Sequence, residues 1–96
     1  MQDGAEIWHI VHYRPGPNWR VGMPVCDQPL DAHVDFLRDL HGDGHVAMAG
    51  PFADSSGGLV VIASDSQTDV ESLIADDPAI GEGTLVAMVK PWVRVL

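Results

Sequence analysis

The sequence predicts an α+β domain whose strands and helices follow one another in the order β-α-β-β-α-β. Three observations support this order. Four short segments are rich in β-branched and aromatic residues, two others carry apolar residues at helical spacing, and glycine- and proline-rich turns separate them. The order is that of the ferredoxin-like split βαβ pattern, in which an antiparallel sheet carries both helices on one face.

The first strand is predicted over residues 6–13, "EIWHIVHY". Alternation assigns Ile7, His9, Val11 and Tyr13 to one face and Trp8, Ile10 and His12 to the other. His9 and His12 therefore lie on opposite faces, which argues against a shared metal site.

Residues 14–29 contain four prolines and predict a long loop. Within that loop, Trp19 either closes over a cleft or anchors the loop to the core.

The first helix is predicted over residues 30–43 and ends at the "GDG" turn. At about 100° per residue, one stripe contains Leu30, His33, Val34, Leu37, Leu40 and His41. His33 lies near the middle of this stripe, so it faces the sheet or a cleft beside it. A buried imidazole at this position is either a hydrogen-bonded core residue or a general acid or base.

A second strand is predicted over 45–52, interrupted at Gly50 and Pro51, and a third over 59–64 after the turn "ADSSGG". Residues 66–75 form the second predicted helix, with its cap at either Ser66 or Thr68. Pro78 ends this helix because it disfavours helical geometry at the preceding residue. The last strand covers 84–96, where Pro91 marks a bulge or a sheet edge.

Composition limits the classes of function. The 96 residues predict one domain over 1–96, and 14 acidic against 5 basic residues give a net charge of −9. This charge disfavours binding to nucleic acid or to an anionic membrane surface. Cys26 is the single cysteine, so no intrachain disulfide can form. The N-terminal segment "MQDGAEIW" does not resemble a signal peptide, and we expect a cytoplasmic protein without a membrane span.

The sheet face opposite the helices also carries apolar residues, which two helices on the other face cannot cover. In so short a chain the simplest cover is a second copy of the same chain. We therefore predict a homodimer in which two sheets face each other.

The partner of His33 is predicted at the end of the second helix. An imidazole that transfers protons usually has a carboxylate beside it, which orients the ring and stabilises its charged form. Asp77 precedes Pro78 and is extended, and the two helices lie side by side in a ferredoxin-like fold. The alternative is that "DDP" is an ordinary helix-ending turn.

Several short motifs resemble the YciI-like (YCII-related) family when taken in order. They are the His33 helix, "AGPF" at 49–52, "GG" at 57–58, "DDPA" at 76–79, "KPW" at 90–92 and the long first loop with "RPGPNW" and Gln28. The resemblance implies a dimeric α/β barrel of ferredoxin-like protomers, with His33 and Asp77 as its active pair. Two departures are Leu30, where many members have arginine, and Ala79, where an aromatic residue often stands.

The resemblance also implies a reaction class, because one branch of the family eliminates chloride from a chlorinated hydroxyhydroquinone. The resulting hypothesis is a lyase or isomerase that acts on a small cyclic or aromatic molecule without cofactor or metal. Its predicted substrate-binding residues are Trp19, Gly50, Pro51 and Phe52. The alternatives are a non-catalytic homodimer with a small-ligand-binding or accessory role and, as a minor option, an oxygenase-like or metal-assisted activity on the same fold.

Overall fold

The computed structural model describes residues 6–96, which form four strands and three helices. Their bounds are β1 Glu6–Pro15, α1 Asp31–Gly42, β2 Val46–Pro51, β3 Gly58–Ile62, α2 Gln67–Ala75, α3 Pro78–Gly81 and β4 Leu85–Arg94, with a short 3-10 turn at Val25–Asp27. The strands pair antiparallel in the order β2-β3-β1-β4. The predicted α+β, ferredoxin-like fold is confirmed.

Pro15 and Pro78 have structural roles that differ from those predicted, since Pro15 is predicted to lie in a loop and Pro78 only to end a helix. β1 continues through Pro15, which pairs with Leu85 of β4 but lies beyond the last β1–β3 pair, Tyr13 with Gly58. Its missing N–H is therefore not needed by β3. Pro78 ends one helix and also starts the next, because its fixed φ suits the first helical position of α3.

The structure decides two alternatives that the sequence leaves open: which residue caps α2, and whether Pro91 marks a bulge or a sheet edge. The side chain of Ser66 accepts a hydrogen bond from the backbone N–H of Asp69, so Ser66 rather than Thr68 caps α2. Pro91 lies on β4, a sheet edge, and the β1–β4 register runs past it without interruption. The irregular position of the sheet is in the other edge strand, where the β2–β3 register shifts between Val46 and Met48.

The hydrophobic core lies between the helices and one face of the sheet. Its fully buried members include Val11 of β1, Ile62 of β3 and Val70 of α2. His9 is buried on the same face, where its Nδ1 lies 2.7 Å from the carbonyl oxygen of Ser64. A backbone partner therefore satisfies this histidine within the core.

Across residues 6–96, no helix lies over the opposite face of the sheet. By strand alternation and register, this open face comprises Trp8, Ile10, His12, Met48, Leu59, Val61, Val86, Met88, Lys90 and Trp92. Met48 is 64% exposed and Trp92 42% exposed, and the rings of Trp92 and Trp8 meet edge to face at 6.5 Å. This large apolar surface is typical of an interaction site.

The predicted absence of a signal peptide rests partly on residues 1–5, which lie outside the described residues. In residues 6–96, no helix combines the length and the apolar character needed to cross a membrane.

Candidate active site

His33 lies in the first turns of α1, and its ring faces away from bulk solvent. Its side chain is 11% exposed, and it lies on the wall of a cavity described below. The predicted stripe is only partly buried, since Leu40 is buried while Val34 and His41 are exposed. The reason is that this side of α1 borders an open cavity rather than a fully packed core.

Asp77 links α2 to α3 and is completely buried. Its Oδ2 lies 2.6 Å from Nδ1 of His33 and accepts a second hydrogen bond, of 2.9 Å, from the hydroxyl of Tyr13. Its Oδ1 accepts a 2.9 Å hydrogen bond from the backbone N–H of Ala79, which caps α3. The structure therefore brings the two residues of the predicted pair together, although 44 positions separate them in sequence.

These contacts fix where the protons lie. Burial raises the pKa of Tyr13 far above its ordinary value, and the negative charge of Asp77 raises it further, so the phenol keeps its proton and donates it. An ionised carboxylate can only accept hydrogen bonds, so Nδ1 of His33 must carry the hydrogen between the two side chains. Among the described residues nothing hydrogen-bonds to Nε2 of His33, which leaves that nitrogen for a substrate.

The cavity beside His33 has a volume of about 720 Å³ and lies between α1 and the edge strand β2. His33 and Tyr13 form part of one wall, and Gln28 and Leu30 border it from the long loop. Most of the remaining wall is aliphatic: Val25, Leu37, Val46, Ala47, Ala49, Val60 and Leu85. A cavity of this size and character suits a small organic molecule with few polar groups.

Of the predicted substrate-binding residues, Gly50 and Pro51 line this cavity. Trp19 does not: it is half-buried and packs against the hydrophobic core, which matches the anchoring alternative. The ring of Phe52 lies 5.5 Å from that of His12, on the open face of the sheet. The loop that carries Trp19 is held by the buried amide of Gln28, which bonds the backbone N–H and C=O of Arg20.

Charged and reactive groups are sparse around the cavity. Leu30 lines the cavity near His33, so the wall is apolar at that point. Arg38 and His41 lie one and two turns further along α1, towards the other end of the cavity. The exposed thiol of Cys26 lies on the wall contributed by the 3-10 turn. Between residues 6 and 96, no three His, Cys, Asp or Glu side chains come together as a metal-ligand set.

Tyr13 is the site residue that the sequence did not reveal. Strand alternation places it correctly on the helix-facing side of β1, but the same pattern fits an ordinary core residue. Its hydroxyl partner, Asp77, is 64 positions away. The sequence indicates only that the hydroxyl of a buried tyrosine needs a hydrogen-bond partner, and it does not indicate which residue that partner is.

Comparisons with known proteins agree with this fold. A family model described as YCII-related domain matches residues 9–93. The uncharacterised protein YjpA of Bacillus subtilis (strain 168) is 33% identical over 60 residues, which cover 62% of this chain and 71% of YjpA. Among solved structures, the fold is similar to that of the 5-chloro-2-hydroxyhydroquinone dehydrochlorinase TftG from Burkholderia phenoliruptrix AC1100, in complex with 2,5-dihydroxybenzoquinone. That likeness has a TM-score of 0.59 at 20% identity and covers 88% of this chain and 92% of TftG.

Proposed function

Since this chain belongs to the YCII-related domain family, as its motifs predicted, we propose that it is a cytoplasmic enzyme that converts a small cyclic or aromatic molecule by proton transfer. The reaction is an elimination or an isomerisation that needs no cofactor. One observation carries the proposal: His33, hydrogen-bonded to a buried carboxylate at 2.6 Å, lies on the wall of an apolar cavity with Nε2 free. A positioned imidazole of this kind supplies a factor of about 10²–10⁴ in rate.

In an elimination, Nε2 of His33 accepts a proton from an acidic C–H or O–H group of the substrate. In a halogenated quinol, one hydroxyl proton first moves to the halogen-bearing ring carbon, which gives a keto tautomer. The electron pair of a second O–H bond, whose proton passes to Nε2, then moves through the conjugated system, and the halide departs from that carbon with its bonding pair. The substrate loses one proton and one anion, so no oxidant or reductant is consumed. Asp77 stabilises the resulting imidazolium, which then returns its proton to water.

The substrate class is supported by the cavity and by the structural neighbour. The walls near His33 are aliphatic, which suits the faces of a ring, and TftG is a dehydrochlorinase captured with a benzoquinone. Leu30 offers no positive charge near the reacting centre. We therefore propose a neutral or weakly acidic quinol as the substrate.

The direct test is to incubate the purified protein with 5-chloro-2-hydroxyhydroquinone and with its 5-bromo analogue. Halide release is measured with an ion-selective electrode, and quinone formation is followed by absorbance under anaerobic conditions. We expect halide and quinone in equal amounts, above the rate without protein. Saturable ligand binding without halide release would instead favour the non-catalytic ligand-binding alternative.

We further propose that the protein is a homodimer in which two open faces meet. Exposed apolar side chains of that face, including Met88 and Trp92 of the edge strand β4, support this arrangement. We expect Met88→Asp to convert the dimer to monomer, because a pair of buried, unpartnered carboxylates would oppose association. Sedimentation velocity at micromolar concentration measures the change. Val95→Asp, at an exposed position after β4, is the matched control. A wild-type monomer at these concentrations would contradict the proposal.

A further inference from the structure

Three hydrogen-bond donors converge on the carboxylate of Asp77, and two of them share one oxygen. His33 Nδ1 and the Tyr13 hydroxyl lie 2.6 Å and 2.9 Å from Oδ2, while the Ala79 N–H lies 2.9 Å from Oδ1. The carboxylate is thus held at both oxygens and cannot turn. The Tyr13 hydroxyl also takes up part of the negative charge that would otherwise act on the imidazole.

Tyr13 is itself firmly placed. Its side chain is buried, and its ring packs edge-on against His33 with the ring centroids 5.0 Å apart. Behind it, the backbone of Gly57, at φ +144°, packs so closely on the carbonyl of Tyr13 that a Cβ atom would collide with it. The phenol therefore remains beside Asp77.

A carboxylate without a second donor would stabilise the imidazolium more strongly than one that also accepts a hydrogen bond from a phenol. A buried negative charge at hydrogen-bonding distance stabilises the imidazolium, and an imidazolium has no lone pair left on Nε2. We propose that Tyr13 is a positioning residue that competes with His33 for Oδ2 of Asp77 and so weakens the attraction of this carboxylate for a proton on the imidazole. This role of Tyr13 rests on the proposed function, in which His33 accepts a proton from the substrate. Its test does not require enzymatic activity.

The remaining ionisable groups near His33 are few and are independent of Tyr13. On the cavity wall they are Asp31, Arg38 and His41 of its own helix and Cys26 of the 3-10 turn. β2, which forms the opposite wall, contributes only apolar residues. Substitutions at Tyr13 leave these groups in place, so their influence on His33 cancels in a comparison of variants.

The test is an NMR pH titration of the His33 ring in the intact protein. The chain has five histidines, and the His33 signal is identified by its loss in His33→Gln. In Tyr13→Phe, which keeps the ring and removes only the hydroxyl, we expect the His33 titration midpoint to rise by about half a pH unit or more, a threefold or larger change in proton affinity. In Asp77→Asn, which removes the charge, the midpoint should fall.

A second measurement changes the donor strength of the same hydroxyl without removing it, so the test does not depend on Tyr13→Phe alone. Tyr13 is the single tyrosine, so growth on 3-fluorotyrosine labels this position alone with a more acidic and stronger donor. We expect the His33 midpoint to move down in that protein, opposite to Tyr13→Phe. Ile62→Val, a methyl deletion in the core of β3, is the control for loosened packing and should leave the midpoint unchanged.

The proposal is overturned if Tyr13→Phe leaves the midpoint unchanged, or lowers it, or if fluorination and removal of the hydroxyl act in the same direction. None of these measurements uses turnover. Absence of quinol activity would therefore count against the proposed function and not against the role of Tyr13 in setting the proton affinity of His33.

Discussion

His33→Ala is expected to lower kcat/KM for the quinol of the proposed assay by about 10²–10⁴-fold while the protein stays folded. The alanine removes the nitrogen that accepts the substrate proton, whereas the Asp77 carboxylate keeps its hydrogen bonds from Tyr13 and Ala79. The loss of one hydrogen bond to a charged group costs about 1.5–3 kcal/mol of unfolding free energy. Steady-state kinetics and urea denaturation measure the two effects separately.

The matched control is His45→Ala, because His45 is exposed and does not line the cavity. It should change neither activity nor unfolding free energy beyond about 0.5 kcal/mol. If His33→Ala retained activity and lost only stability, the histidine would be a structural residue and the proposed function would be wrong.

Asp77→Ala is expected to produce the largest loss of stability, about 3–5 kcal/mol. It leaves the Tyr13 hydroxyl, Nδ1 of His33 and the Ala79 N–H without their acceptor in a buried place, and it removes the cap of α3. For a domain of this length, each kcal/mol corresponds to about 4–8 °C in Tm. Thermal unfolding should therefore show a fall of roughly 12 °C or more.

Asp77→Asn separates the chemical role of this side chain from its structural role. The amide oxygen can still cap α3, whereas the amide N–H donates towards Nδ1 of His33 and so places the ring hydrogen on Nε2. We expect a folded protein that loses activity about as much as His33→Ala. Asp76→Ala, at the exposed neighbouring position, is the control for both variants. Full activity in Asp77→Asn would exclude a need for the carboxylate.

The parts of the site predictable from sequence were those fixed by local geometry. Helical periodicity placed His33 on the inner side of α1, and Pro78 fixed Asp77 in the extended conformation that ends α2. The ferredoxin-like order then placed this helix end near α1. Whether the pair is catalytic remains a prediction, because a hydrogen bond alone does not distinguish a catalytic pair from a structural one.

The parts that sequence could not supply depend on contacts between distant segments. Trp19 lies in a loop without periodicity, so only the packed core decides whether its ring faces inward. Pro51 and Phe52 are both among the predicted substrate-binding residues, yet neighbours in an extended chain point to opposite sides. Accordingly Pro51 reaches the cavity and Phe52 contacts His12. α3 has no periodic pattern to predict it, because it has only four residues and begins at the same proline that stops α2.

The two edges of the sheet have a consequence for how copies of the protein meet at high concentration. β2 ends in Pro51 and has an irregular register, and β4 carries Pro91 in its length. Proline and irregular pairing both hinder the addition of a further strand, which is the route to open-ended fibres. Growth along the sheet is therefore hindered at both ends. The apolar open face remains available, and in the proposed homodimer a second copy covers it, so that association through this face is finite.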